Sequence, residues 1–571
     1  MPNVLSMVSG RSWKAIISTI TTGFVSMLAL ACFTAAPSTA EPPPTVDWLA
    51  RYSAPGGGNS QVTAMSTDSR GNILVTGYSS GTWWDVATVK YSPSGRQLHV
   101  ARYNGPMGGD DVPQAMAVDA SGNVYVAGYT DGNGQYNYDF LTVKYDSTLT
   151  QQWVRTYAGE FNIGLDEAFA VAAGPAGSVY VTGDSFEAST DHDYATIKYD
   201  AGGNQLWVRR YNGPGNQGDG GNSIAVDEIG NAYVTGISNQ SSSGLNMDVA
   251  TVKYGPTGVL DWVRRYDGPA SSRDIGIRLI LDPSRNVYVT GASGGVGTRD
   301  DMVTIKYAQD GTERWVRRYN GPGNSFDASL AIALVPGDGV CVTGYDVRPE
   351  GDADYATIRY NDAGDKMWVA TYNGPVDGYD EGQAVAADAD GNIYVTGYSD
   401  GGSVMVNYDY ATVKYDSTGL EQWVVRYNGP GDNIDVAAGI LVDADRNVIV
   451  SGWSTGTHLT DVDFATIRYH QTDVASAFDP NGSAGSELHL SAAPNPFRES
   501  TAITFYLPQP ADVDLRLFDV EGRAVRDVAH DRLPSGFHSV ALSGRGLRAG
   551  RYFYRLRAGA GSRNGTLTVI E

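Results

Sequence analysis

Cysteine is almost absent from this chain. Two thiols in 571 residues exclude a disulfide framework, and no Cys/His cluster has zinc-site spacing. Long Ala/Leu/Glu/Lys-rich periodic stretches are missing too, which excludes a helical bundle and predicts almost no helix in the mature protein. Positive charge is in deficit: 41 Lys and Arg against 64 Asp and Glu give a formal charge of −23, with a pI near 4.6. Such a surface repels phosphate backbones and anionic lipid, so nucleic acid is not an expected partner, and the acidity itself is read as solubility. Past residue 40 no apolar run is long enough to span a bilayer. The metalloprotease pattern HExxH does not occur.

What is present is turn and strand chemistry: 70 Gly, 35 Tyr and 11 Trp, the composition of short strands joined by tight turns. At the N-terminus Arg11 and Lys14 precede the apolar run AIISTITTGFVSMLALACF, and APSTA ends at Ala40. This pattern predicts a secretory signal over residues 1–40 and therefore export, to the medium or to the outer membrane and cell surface. Cys32 in LALAC opens a lipoprotein reading, against which Ala29 stands three residues earlier, where such signals carry Leu.

Three motifs then recur in fixed order. The first is a Trp-x-x-Arg-Tyr strand carrying Trp48, Trp153, Trp207, Trp262, Trp315, Trp368 and Trp423, with His99 in place of Trp in the remaining copy. The second is a GNxYVTG strand, in which Cys341 takes a position that mostly holds Tyr and is expected to be buried. The third is D-x-A-T-V-K-Y, whose Asp stands in all eight copies: Asp85, Asp139, Asp193, Asp248, Asp301, Asp354, Asp409 and Asp463. A further apolar segment such as DEGQAVAAD (380–388) makes four strands per repeat, and DADGN and DSTG supply the Asp, Asn and Gly that tight hairpins need.

A four-stranded meander repeated eight times predicts an all-β, eight-bladed β-propeller over residues 41–470. The last copy lacks a Trp strand and the chain opens with an unaccompanied one, WLARY, so the N-terminal strand is expected to complete the last blade and close the ring. The Trp is read as a wedge between blades. The competing parallel β-solenoid has shorter coils and no need of two tight antiparallel turns per unit.

GNxYVTG, D-x-A-T-V-K-Y and WVRRYNGPG resemble the bacterial repeat family usually called the seven-bladed β-propeller repeat, from about Trp48 to Tyr469. The count of eight copies departs from the family name. The resemblance implies a fold and no common activity.

Residues 471–485 read as a polar linker, and 486–571 as a small Ig-like β-sandwich, with Val513, Leu515 and Leu517 alternating against Asp512, Asp514 and Arg516. APNPF, LFDVEGRAVR and LRAGRYFYRL resemble the C-terminal sorting domain of type IX secretion and the related Ig-like domain of flagellar hook-capping proteins. That resemblance implies a partner in the secretion machinery.

Chemistry is expected on one rim, where the loops after the Trp strands and those after the VTG strands gather. Two rings of carboxylates belong there: the eight aspartates above, and Asp111, Asp166, Asp219, Asp274, Asp327, Asp380 and Asp435. Clustered carboxylates suit Ca²⁺, but residues repeated in nearly every blade are expected to accept backbone N–H groups. The loops also carry aromatics that differ between copies: Trp83, Trp84, Tyr136, Tyr138, Tyr408, and Trp453 with His458. Exposed rings would suit a sugar or peptide; packing over the loop beneath is the plainer role.

The expected function is a secreted or surface-held, monomeric, non-catalytic scaffold with no cofactor that binds a glycan or protein through the rim. The alternative is an extracellular propeller enzyme, a hydrolase, a lyase or a quinoprotein-like oxidoreductase. DSTGLEQW (416–423) resembles the turn-and-Trp pattern of quinoprotein dehydrogenases, whose adjacent cysteine pair is absent here.

Overall fold

The computed structural model describes residues 41–571 except 133–136, 160–164, 242–245, 350, 403–406, 458–460, 472–488, 494–499, 508, 521–522, 534–535, 560 and 570–571. Among the described residues the structure is all strand and turn, with a single 3-10 turn at Pro175–Gly177. Among these residues no helix is long and apolar enough to cross a membrane.

Residues 45–470 form eight four-stranded antiparallel sheets. Seven are consecutive meanders, over 60–103, 111–157, 166–211, 219–266, 274–319, 327–372 and 380–427. In the eighth, Thr45–Tyr52 lies outside Val462–His470, followed inward by Val448–Thr455 and Asp435–Val442. The chain thus enters and leaves this region on adjacent strands, with Thr45 opposite His470. Repeated four-stranded sheets of this kind fit a β-propeller.

The repeated letters have local causes. The Thr of VTG and the Thr of ATVK face each other as a buried cross-strand pair, Oγ1 to Oγ1 at 2.9 Å for Thr76 and Thr88 and 3.1 Å for Thr235 and Thr251. The inner strand of each sheet bulges opposite the VTG glycine, as between Gly221 and Ser223. A Cβ on Gly236 would lie 1.9 Å from the Gly220 carbonyl oxygen, so only glycine lets the backbones meet.

Sheet-to-sheet packing is built around the Trp. Trp207, 7% exposed, lies between Tyr180 of its own sheet and Tyr254 of the next, with ring centroids 5.9 and 6.0 Å away. Its Nε1 donates to the Pro256 carbonyl at 3.2 Å, and Lys198 Nζ donates to the same oxygen at 2.9 Å. The next sheet's outer turn carries Gly258 at φ +79, where a Cβ would stand 2.9 Å from the indole. The same Trp-over-Gly arrangement pairs Trp153 with Gly203, Trp262 with Gly311, Trp315 with Gly364, Trp368 with Gly419 and Trp48 with Gly95. Where His99 replaces Trp, the turn residue is Leu149, at φ 60 and 6% exposed, so the side chain lost on one sheet is returned by the next. Cys341 is fully buried at the Tyr position, as expected. Trp423 ends the series, reaching the Gln471 side chain instead of a turn carbonyl.

After residue 488 two antiparallel sheets share one apolar core. His489–Ala493, Ser500–Leu507 and Gly536–Ser543 form the first; Ala511–Phe518, Ala524–Leu533, Gly550–Ala558 and Gly561–Val569 form the second. Ile503, Phe505 and Leu507 pack with Val513, Leu515, Leu517, Tyr554 and Leu556, which follows from the strict alternation of those strands. Ala524–Leu533 is a strand that its scattered charges hid in the sequence.

Candidate functional site

Both carboxylate rings are accounted for mostly by the fold. Asp219 accepts the Gly213 N–H at 2.6 Å on Oδ2 and the Asn239 N–H at 2.8 Å on Oδ1, tying the incoming loop to the end of the second strand. Asp166, Asp327, Asp380 and Asp435 bind the corresponding pairs of N–H groups. The outer ring is held by the Arg that precedes Tyr in the fourth strand: Arg426 donates to Asp409 Oδ2 at 2.9 Å, to the Ser399 carbonyl at 2.9 Å and to the Tyr372 hydroxyl of the preceding sheet at 3.2 Å. Two copies carry Thr156 or Thr371 instead of Arg. In one, Arg348 comes down from the loop to pair with Asp354; in the other, Asp139 has no ion pair among the described residues. The pattern Gly-x-Ser-x-Gly occurs at 77–81, 291–295, 397–401 and 452–456, but these serines are fully buried strand residues whose Oγ accepts the junction Arg, as Ser79 does from Arg102 and Ser454 from Arg51, each at 2.9 Å, so none is an exposed nucleophile.

Burial sets the titration of these carboxyls. It pushes Asp111 and Asp435 up to about 6 and Asp327 up to about 7, desolvation outweighing the N–H bonds they accept. Between about pH 4 and 7 the folded chain therefore binds more protons than the unfolded chain, and stability falls as pH rises through that interval. Asp68 and Asp119, held low by their Asn72 and Asn123 partners against the opposing effect of burial, lose their contribution only as pH falls below the ordinary Asp value. The urea midpoint is expected to be higher at pH 5.5 than at pH 8; an equal or lower midpoint at pH 5.5 would contradict these assignments.

The rim aromatics divide by exposure. Trp83 is half exposed, at 49%. Trp84 is partly buried, its ring edge-on to Tyr78 at 4.9 Å and its backbone N–H donating to Asp110 Oδ1 at 3.1 Å. Tyr138 packs on Tyr129 at 4.6 Å, and Tyr408 on Tyr398 at 4.8 Å. Trp453 is partly buried on Val448–Thr455, opposite Val436 and Phe464. Tyr136 and His458 lie outside the described residues. Of the described members of the expected rim set, Trp83 is the exposed ring, and Trp84, Tyr138, Tyr408 and Trp453 are partly buried.

Two exposed rings escaped the sequence reading. Tyr379, 47% exposed, and Phe326, 41% exposed beneath the Arg299 guanidinium at 4.6 Å, each immediately precede an inner-ring Asp. The signal was available: that loop position is Asn59, Asp110, Leu165, Gly218, Arg273 and Ile434 in the other copies, and aromatic in these two alone. Polar groups accompany the rings. Tyr78 donates to Gln61, and Tyr398 donates to Glu381 Oε2 at 2.8 Å. Burial pushes the Glu381 carboxyl up.

One cluster is not repeated. Asp184, where the other copies carry apolar or aromatic residues, and His192, where all but the copy with Asp300 do, face each other with Oδ2 and Nδ1 3.2 Å apart, and the imidazole packs edge-on to Phe186 at 5.6 Å. The Asp184 contact raises the His192 pKa, and burial followed by the Asp184 charge raises that of Glu167. At the junction of the first and last sheets a cavity of about 250 Å³ is lined by Arg51, Gly57, Gly58, Pro430, Asp461 and Asp463.

A family model described as "Beta-propeller repeat" matches residues 107–135 and 371–403. Both segments are similar to that repeat. An uncharacterized WD repeat-containing protein of Acanthamoeba polyphaga mimivirus is 24% identical to this chain over 73% of this chain's length; the chain spans 33% of that relative. Among solved structures, a protein of unknown function from Dyadobacter fermentans aligns at 10% identity and a TM-score of 0.37, over 76% of this chain and 100% of the other. The β-propeller domain of the Trilobed protease from Pyrococcus furiosus aligns at 10% identity and a TM-score of 0.32, over 62% of this chain and 92% of the other.

Proposed function

We propose that the chain is a secreted or surface-held scaffold, an eight-bladed ring closed by its N-terminal strand, that binds an extended glycan across its loop rim. The observation that carries this reading is the set of exposed rings, Trp83, Phe326 and Tyr379, beside tyrosines whose hydroxyls are already paired with Gln61 and Glu381. Flat apolar faces next to fixed amide and carboxyl groups match the alternating C–H and hydroxyl faces of a sugar ring. The test is a screen of residues 41–470 against glycan and surface-protein arrays. Glycan retention is expected, and Trp83→Ala or Tyr379→Ala should weaken it about tenfold without moving the melting temperature. Retention of proteins only, or of nothing, overturns the glycan reading.

A second reading, an enzyme at the rim, is favoured by the Asp184–His192 pair beside Glu167, an arrangement able to take and return a proton. In the same screen it would appear as turnover of a retained glycan, lost in His192→Ala while retention persists.

For the tail we infer an Ig-like export or attachment address over 486–571, supported by the two-sheet core and the motif resemblance. A reporter fused to residues 484–571 should reach the cell surface in a host with type IX secretion. Retention in the periplasm would count against this role.

A further inference from the structure

We propose that Asp248, Asp267 and Asp274 hold one divalent cation of the Ca²⁺ type at the junction between the sheets over 219–266 and 274–319. A carboxylate oxygen from each lies within 4.8 Å of one from each of the others. Asp248 and Asp274 are fully buried, and each leaves its Oδ1 with no hydrogen-bond partner.

Two departures from the repeat produce this arrangement in this copy. The first is at position 267. Five sister copies have Asn there, and in four of them its amide donates to the residue four further on: Asn212 to Asn216, Asn320 to Asn324 and Asn373 to Asp377 at 2.7 Å, and Asn428 to Asp432 at 2.6 Å. Asp267 instead adds a negative charge and accepts a long contact from Ser271 Oγ at 3.3 Å.

The second departure is at Asp274. In five sister copies Oδ1 of the inner Asp accepts the N–H twenty residues on, at 2.8 to 3.2 Å. Here that N–H, of Gly294, donates to the Arg273 carbonyl at 2.9 Å. Asp274 Oδ1 is thereby released, and it lies beside Gly268, where a Cβ would stand 2.5 Å from it.

The charge count asks for a counterion. Arg265 Nε meets Asp248 Oδ2 at 3.0 Å and neutralises one of the three carboxylates. Asp267 is exposed, but burying the remaining charge of Asp274 unpaired is costly. An all-oxygen, anionic donor set selects a hard cation, and three carboxylates with room for water suit the flexible shell of Ca²⁺ better than the strict octahedron of Mg²⁺.

The test uses the full mature chain, stripped with chelator and titrated with Ca²⁺ by calorimetry and with Tb³⁺ by luminescence. One saturable site is expected, with Ca²⁺ raising the melting temperature and Mg²⁺ requiring at least tenfold higher concentration. Asp267→Asn restores the residue of the sister copies, so its fold is protected; it should weaken Ca²⁺ at least tenfold and remove the thermal shift, while melting as wild type in chelator. Asp267→Ser provides a second variant with the same expected loss. Absence of a saturable site in the wild type, unchanged affinity in both variants, or equal saturation by Mg²⁺ overturns the assignment.

Discussion

Deleting residues 46–54 is expected to abolish cooperative unfolding of the repeat region and to leave a product that aggregates. The segment removes the outer strand of the last sheet and exposes the whole edge of Val462–His470, a template for pairing with other chains. It also removes Arg51, which pairs with Asp463 at 3.0 Å, so that a mostly buried carboxylate is left without its cation. Trp48, which covers Gly95 and lies 6.3 Å from Tyr91, goes with it, as does Tyr52, packed on Phe464 at 5.4 Å. Thermal unfolding and size-exclusion chromatography of the truncated chain report the outcome. A monomer with wild-type melting would refute the closure of the ring by this strand.

Trp207→Ala is expected to cost about 3–5 kcal/mol, the range for removing a large aromatic from a packed interior. The indole touches both neighbouring sheets through Tyr180 and Tyr254 and is covered by the Arg209 guanidinium at 5.8 Å. The facing turn cannot collapse into the space, because Gly258 sits there at φ +79 with no side chain to advance. Its Pro256 carbonyl keeps Lys198 as a donor, so the loss measures packing and not an orphaned acceptor. Urea titration gives the value; a loss under about 1 kcal/mol would mean that the Trp is not the wedge between sheets.

Much of the scaffold was legible because each repeated letter answers a backbone demand. The VTG glycine faces an inner-strand bulge, the paired threonines meet across strands, and the DSTG glycine makes room for the next indole. Even the exception at His99 is answered by Leu149. The inner aspartates could be assigned to loop N–H groups before any coordinates, since a residue present in nearly every copy serves what all copies share. What escaped depends on departures that mean little one at a time. Asp184 and His192 stand eight positions apart, and only the hairpin between them makes them neighbours. Tyr379 and Phe326 look like ordinary loop residues until their exposure is seen. Asp267 differs from its sister asparagines by one atom's chemistry, and its meaning depends on a Gly294 N–H that turns elsewhere.

The seam has a mechanical consequence. Thr45 and His470 face each other at the same end of an antiparallel pair, so tension applied between the two chain ends would act across the ladder's hydrogen bonds, which lie perpendicular to the strands. They would break in succession, as a zipper opens, and not together, as in shear. The repeat region is therefore suited to hanging from one end with the other free, and poorly suited to serving as a link in a chain under load.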